Sequence, residues 1–282
     1  MSRRSPIGSR SFSPLRMRSR CLIPLVLLAL HGAGTWFGSG RLVAEPAKPA
    51  APPEPPKPLV TVPLGLIAGR TNVLSLRGLR VKDATNVVLE GWSRPIPASV
   101  RKREDAKPPD GLNATRAGDQ VLELEVLVPA DATGRTNLVW SVRGTNGVGT
   151  LSGIPVVAAT DWVEAREPNG GFSDAQPLKV GQTVRGTLEK GGDVDVFRIE
   201  ASAGMMLHAE ILASRAGSTL DAILTVYDEH GVLLVTNDDA VDQDPVIEYR
   251  VGPSGPLFVV VTYANEKAAK THGYLLQVKA LK

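Results

Sequence analysis

Three short stretches of this 282-residue sequence concentrate oxygen-donating side chains. They are EAREPNGG over 164–171, the pair Asp193 and Asp195 in GGDVDVFRIE, and TNDDAVDQD over 236–244, which holds Asn237, Asp238, Asp239, Asp242 and Asp244. A hard cation such as calcium takes roughly six to eight oxygen ligands, some of them backbone carbonyls, so closely spaced carboxylates and amides are the raw material of a calcium site. None of the three has the spacing of an EF-hand loop. Other chemistry is open to each. Asn237 to Asp244 can form a solvated turn with side-chain caps, and Asp193 and Asp195 can pair with an Arg or Lys, or stand in water before a strand enters the core. Side chains alternate along a strand, so Asp193, Asp195, Phe197 and Ile199 share one face. A carboxylate in line with core residues requires a partner.

The elements that must position these groups read as strands throughout. Over 161–282, QTVRGTLE, DVDVFRIEA, MLHAEILA, DAILTVYDE, GVLLVTN, PVIEYRVG, PLFVVVTYA and GYLLQVKA are apolar-rich segments broken by turn residues. DAILTVYDEHGVLLVTN reads as a hairpin with Gly231 at the positive-φ turn position. Eight antiparallel strands in this length predict a two-sheet jelly roll. Over 59–160, LVTVPLGLI, TNVLSLRGL, NVVLEG, QVLELEVLV, TNLVWSVRG and GIPVVA alternate in the same manner, while Ser93 to Gln120, polar and containing RKREDAKPPDG, reads as a loop. That pattern predicts an immunoglobulin-like β-sandwich. The expected fold class is all-β, two tandem β-sandwiches, with no long helical stripe. Trp140 is expected in a core and Trp162 at the junction of the two sandwiches.

The N-terminal region differs in character. Residues 1–44 carry seven Arg and no acid, and CLIPLVLLAL over 21–30 follows the basic cluster. A basic region before a short apolar run is the pattern of a signal peptide, too short to span a bilayer comfortably at about 20 residues. Residues 45–58, EPAKPAAPPEPPKP, hold seven prolines and predict a semi-rigid extended linker. Past the export segment the balance is 25 basic against 29 acidic residues, so the alkaline isoelectric point belongs mostly to 1–44 and nucleic acid is excluded as the expected partner. Residues 160–282 alone carry 18 acidic and 11 basic residues, which suits a cation or a cationic surface. The one cysteine, Cys21, lies in the export segment, so the remainder forms no disulfide and no thiolate metal site.

REPNGGFSDAQPL, VRGTLEKGGDVDVFRIEASAGMMLHAEI, GSTLDAILTVYDEHGVLLVTNDD and GPLFVVVTYA, in that order, resemble the bacterial pre-peptidase C-terminal domain. This jelly-roll module is appended to many secreted proteases and is widespread in planctomycete secreted proteins. The resemblance covers 161–282. In collagenase members the module binds calcium and attaches the protein to its polymeric substrate. Carried over by position, the resemblance implies calcium at Glu167, Asn169, Asp193 and Asp195. Gly170 stands where the family commonly has Asp, and Ala165 where collagenase members have Glu, with Glu164 one position off. The segment 59–160 resembles the immunoglobulin-like domain that often precedes the module, which implies a fold and no activity.

Beyond the export segment only His208, His230 and His272 could act as imidazole bases, and no H-E-x-x-H, G-x-S-x-G or phosphate-binding loop is present. The expectation is therefore an exported, non-catalytic binding or adhesion module, secreted or periplasmic, whose partner is a protein or polysaccharide polymer. It would touch a membrane only through an uncleaved export segment. Two rival readings are an accessory or inhibitory domain for a separately encoded secreted peptidase and a structural component of the cell envelope. Trp92, Trp162, Tyr227, Tyr249, Tyr263 and Tyr274 are the aromatics that could stack on sugar rings, or pack in the cores.

Overall fold

The computed structural model describes residues 52–252, 255–264 and 268–281. The export segment 1–44 and most of the proline-rich stretch lie outside the described residues. No helix among the described residues is long and apolar enough to cross a membrane.

The first half holds β1 (Lys57–Val62), β2 (Leu66–Ile67), β3 (Thr71–Leu79), β4 (Asn86–Glu90), β5 (Ile96–Pro97), β6 (Ser99–Asp105), a one-turn helix at Ala114–Ala117, β7 (Gln120–Leu127), β8 (Leu138–Gly144), β9 (Gly147–Ile154) and β10 (Val156–Val157). Two four-stranded sheets, ordered β1-β3-β7-β6 and β5-β4-β8-β9, face each other. Without the short β2, β5 and β10, these seven strands follow the order of an immunoglobulin sandwich. Inward residues of both sheets, among them Leu76, Leu89, Leu122, Leu124, Leu138 and the fully buried Trp140, form its core.

The segment expected as a loop departs from that reading, because β6 runs through it and pairs with β7. Its sequence, SVRKRED, buries none of its seven side chains fully. An edge strand that sends only Val100 towards the core and otherwise bonds through its backbone and charged side chains leaves no apolar period in the sequence. Arg77 then ties down the rest of the segment, donating to the carbonyls of Lys107, Ala117 and Gly118 at 3.0, 2.8 and 3.2 Å. The proline-rich stretch also ends differently from a free linker. Lys57 already belongs to β1, Pro56 is buried, and Arg80 grips Glu54 at 2.7 Å and the Pro55 carbonyl at 2.9 Å.

The second half holds β11 (Trp162–Glu164), β12 (Gln176–Leu178), β13 (Thr183–Thr187), β14 (Asp195–Ala201), β15 (Met206–Leu212), β16 (Ala222–Tyr227), β17 (Leu233–Asn237), β18 (Val246–Arg250), β19 (Gly255–Tyr263) and β20 (Gly273–Leu281). The sheets are ordered β11-β13-β20-β15-β18 and β12-β14-β19-β16-β17. Numbered one to eight from β13, the longer strands run 1-8-3-6 in one sheet and 2-7-4-5 in the other, the arrangement of a jelly roll. All eight expected strands are present, and Gly231 takes φ 78° in the β16–β17 turn. The short β11 and β12 add parallel edges. Phe197, Ile199, Leu207, Ile211, Leu224, Val259 and Leu276 lie in its core.

Both halves belong to one compact unit. Leu64 and Val157 of the first meet Ala216 and Leu275 of the second, with Trp162 packed against them. The approach is close at Gly153, where an added Cβ would lie 2.1 Å from the Arg215 carbonyl oxygen.

Candidate metal centre

Two consecutive features of the second sandwich converge on one spot. The loop between β11 and β12 carries Glu167, Pro168 and Asn169, and it is held against the start of β14 by the Val196 amide, which donates to the Asn169 carbonyl at 2.8 Å. The turn before β14 carries Asp193, and β14 begins at Asp195. One carboxylate oxygen from each of Glu167, Asp193 and Asp195 lies within 4.8 Å of the other two. Asn169, read from the sequence with them, lies beside the cluster: its backbone N–H donates to Glu167 Oε2 at 3.2 Å, and its side-chain amide lies against Asp195.

Asp195 lies on the same side of β14 as Phe197 and Ile199 and is 1% exposed. Its partner is Tyr274 on β20, also fully buried, whose hydroxyl donates to Oδ2. Tyr274 fits there because its register partner on β13 is Gly186, where a Cβ would come within 2.3 Å of the phenol. Burial and the Asp195 charge push the Tyr274 phenol well up, so it remains a donor. Asp193 sits shallower and accepts from the backbone amides of Glu189 and Lys190 through Oδ2, at 2.8 and 3.5 Å.

Electrostatically the cluster is uncompensated. No ion pair reaches Glu167, Asp193 or Asp195 among the described residues. Arg185 borders the same cleft, but its guanidinium is already engaged by Glu164 at 2.6 and 3.0 Å and stacks over Trp162 at 4.6 Å. Glu164, one position off the collagenase pattern, is thereby taken out of the cluster. Burial pushes the Asp195 carboxyl up from 3.8 to about 6. The Tyr274 hydroxyl and the nearby Asn169 side-chain amide pull it down, and Asp193 and Glu167 add repulsion.

Asn169 supplies a second, independent sign. It is completely buried, its amide lies against Asp195, and neither its Oδ1 nor its Nδ2 makes a well-formed hydrogen bond among the described residues. Burying both ends of an amide without partners is costly, and such a group calls for an explanation. Three carboxylates and an amide oxygen are the donor set a hard cation prefers, so the residues present fit calcium. A cleft of about 650 Å³, bordered by Pro63, Ala165, Thr187 and Lys190, opens over the cluster.

The third acidic stretch does not join them. Asn237 caps Val246 and Asp238 caps Asp239, as a turn would have it. Asp244 turns inward to Arg215. That ion pair was not legible in the sequence, nor was Tyr274 as the partner of Asp195, since both depend on strand register. Of the aromatics, Tyr274 is fully buried and the other five candidates are half-buried. His208 stands 3.5 Å from both Glu210 and Glu248, His230 is exposed, and His272 is buried with its Nδ1 unpartnered among the described residues.

No family model matches the chain. Among curated proteins, a probable subtilase-type serine protease of Deinococcus radiodurans is 34% identical over 106 residues, covering 36% of this chain and 15% of the relative. The chain therefore matches only a small part of that protein. Among solved structures, the pre-peptidase C-terminal domain of a collagenase from Bacillus anthracis aligns at 16% identity and TM-score 0.33, over 40% of this chain and 99% of that one. Tripeptidyl peptidase 2 aligns at 9% identity and TM-score 0.23, over 76% of this chain and 19% of that one. The fold assignment rests on the strand orders given above.

Proposed function

We propose that the chain is an exported, non-catalytic binding module of the pre-peptidase C-terminal type, carried behind an immunoglobulin-like sandwich and stabilised by calcium. Glu167, Asn169, Asp193 and Asp195 would hold the ion, and the module would attach to a protein or polysaccharide polymer outside the cytoplasm. The observation that carries this reading is the uncompensated convergence of three carboxylates beside a buried amide that makes no well-formed hydrogen bond among the described residues. The partial match to a probable subtilase-type serine protease supports a module that travels with peptidases. The same match favours the second reading, an accessory domain acting on a separately encoded peptidase, which capture of a secreted peptidase by the immobilised protein would support.

Melting the full chain with millimolar calcium and with EGTA tests the site. A ligand at about 100 times its dissociation constant adds roughly 2.7 kcal/mol, or about 5–10 °C for a protein of this size. The Asp193→Ala, Asp195→Ala double variant should lose that response. Equal melting points with calcium and EGTA in the parent protein would remove calcium from the reading.

A further inference from the structure

The carboxylates of the cluster are each half spent. Asp195 Oδ2 accepts from Tyr274, Asp193 Oδ2 from the backbone amides of Glu189 and Lys190, and Glu167 Oε2 from the backbone amide of Asn169. One oxygen of each remains for an ion, together with the Asn169 side-chain oxygen. The side chains of the cluster thus offer four oxygens where calcium takes roughly six to eight, the others coming from backbone carbonyls, waters or a ligand. A cleft of about 650 Å³, lined by Glu167, Asp193 and Asp195, opens over the cluster. We infer that the ion, on the calcium reading above, is left open toward this cleft, and that the cleft takes a neutral, hydroxyl-rich glycan through two vicinal hydroxyls.

Charge and geometry select that chemistry. With Glu164 and Arg185 paired, the cleft retains Glu167, Glu189, Asp193 and Asp195 against Lys190. A dication still leaves it net negative, so a carboxylate ligand is disfavoured. Successive carbonyls of an extended peptide point in opposite directions, so a peptide presents one oxygen where a vicinal diol presents two. The diol fills adjacent positions at once. Pro63, Ala165 and Pro168 supply apolar wall on which the face of a sugar ring can lie.

Terbium luminescence lifetimes of the full chain in light and heavy water count the waters on the bound ion. At least about two waters are expected, and mannan should remove about two of them while gelatin removes none. The Asp195→Ala variant should bind no terbium at this site. Terbium bound with one water or none shows a closed site and overturns the inference while leaving the calcium reading intact. Waters that mannan leaves in place, or that gelatin displaces instead, overturn the glycan assignment. No terbium binding by the parent chain removes the calcium reading and the inference with it.

Discussion

Asp195 and Asp244 are both buried carboxylates of the same sandwich, 1% and 0% exposed, and the fold treats them in opposite ways. Asp244 is saturated. It accepts from the backbone amides of Ala213, Ser214 and Arg215 at 3.1, 2.7 and 3.2 Å and from Arg215 Nε at 2.8 Å. Arg215 in turn reaches Glu210 at 2.7 Å, so the charge is closed off internally. Asp195 has one hydroxyl, an amide beside it and two further carboxylates. Both pay for burial differently: a buried charge completed by the chain is architecture, and one left incomplete is a place for something from outside.

The largest effect should come from opening the completed cluster. Asp244→Ala leaves Arg215 and three amides without their acceptor, which predicts a loss of roughly 3–5 kcal/mol. The turn at 213–216 that these bonds hold also presses on Gly153 of the first sandwich, so the junction should loosen with it. Urea unfolding should give the same loss with calcium and with EGTA. A loss that calcium rescues would mean Asp244 belongs to the ion site after all.

Asp195→Asn should act with the opposite sign. In EGTA at neutral pH the parent protein bears the cost of ionising a carboxyl raised from 3.8 to about 6, on the order of 3 kcal/mol at most. The amide avoids that cost, so the variant should be more stable than the parent by about 1–2 kcal/mol in EGTA and should lose its response to calcium. The pH profile follows. A folded-state value above the unfolded one means the native protein binds more protons between about pH 4 and 6. This group therefore disfavours folding fully above that window, and acidification through it relieves the cost. Glu210, drawn below the usual carboxylate range by Arg215 and His208 despite its burial, works the other way. Its contribution is present above its unfolded value and is lost as pH falls through the lowered one. In EGTA the melting point should rise from pH 7 towards 5 and fall in stronger acid, and only the rise should vanish in Asp195→Asn.

What the sequence made legible follows the same division. Alternation of apolar residues specifies which face each long strand buries, so the eight strands of the second sandwich and the cores of both could be read directly. Asp193 and Asp195 stood out because period two put them in line with Phe197 and Ile199. What stayed hidden depends on contacts across strands. SVRKRED at β6 puts only Val100 against the core, so no period marks it. Nothing local pairs Tyr274 with Gly186, Arg215 with Asp244 or Arg185 with Glu164. These are consequences of register and of loops folding back, and they decide which acids are satisfied and which remain free.

Tyr274 offers the finest division of the two kinds of carboxylate. Tyr274→Phe keeps the ring over Gly186 and removes only the hydroxyl that occupies Asp195 Oδ2. Without calcium the variant should lose about 1 kcal/mol, the net worth of one buried hydrogen bond. It should also push the Asp195 carboxyl further up, so the acid-side rise in melting point should begin at higher pH. With calcium the freed oxygen can turn to the ion, so the calcium-induced gain should be as large as in the parent or larger. A calcium response that disappears in Tyr274→Phe would mean that the hydroxyl orients Asp195 for the ion, making Tyr274 part of the site rather than its support.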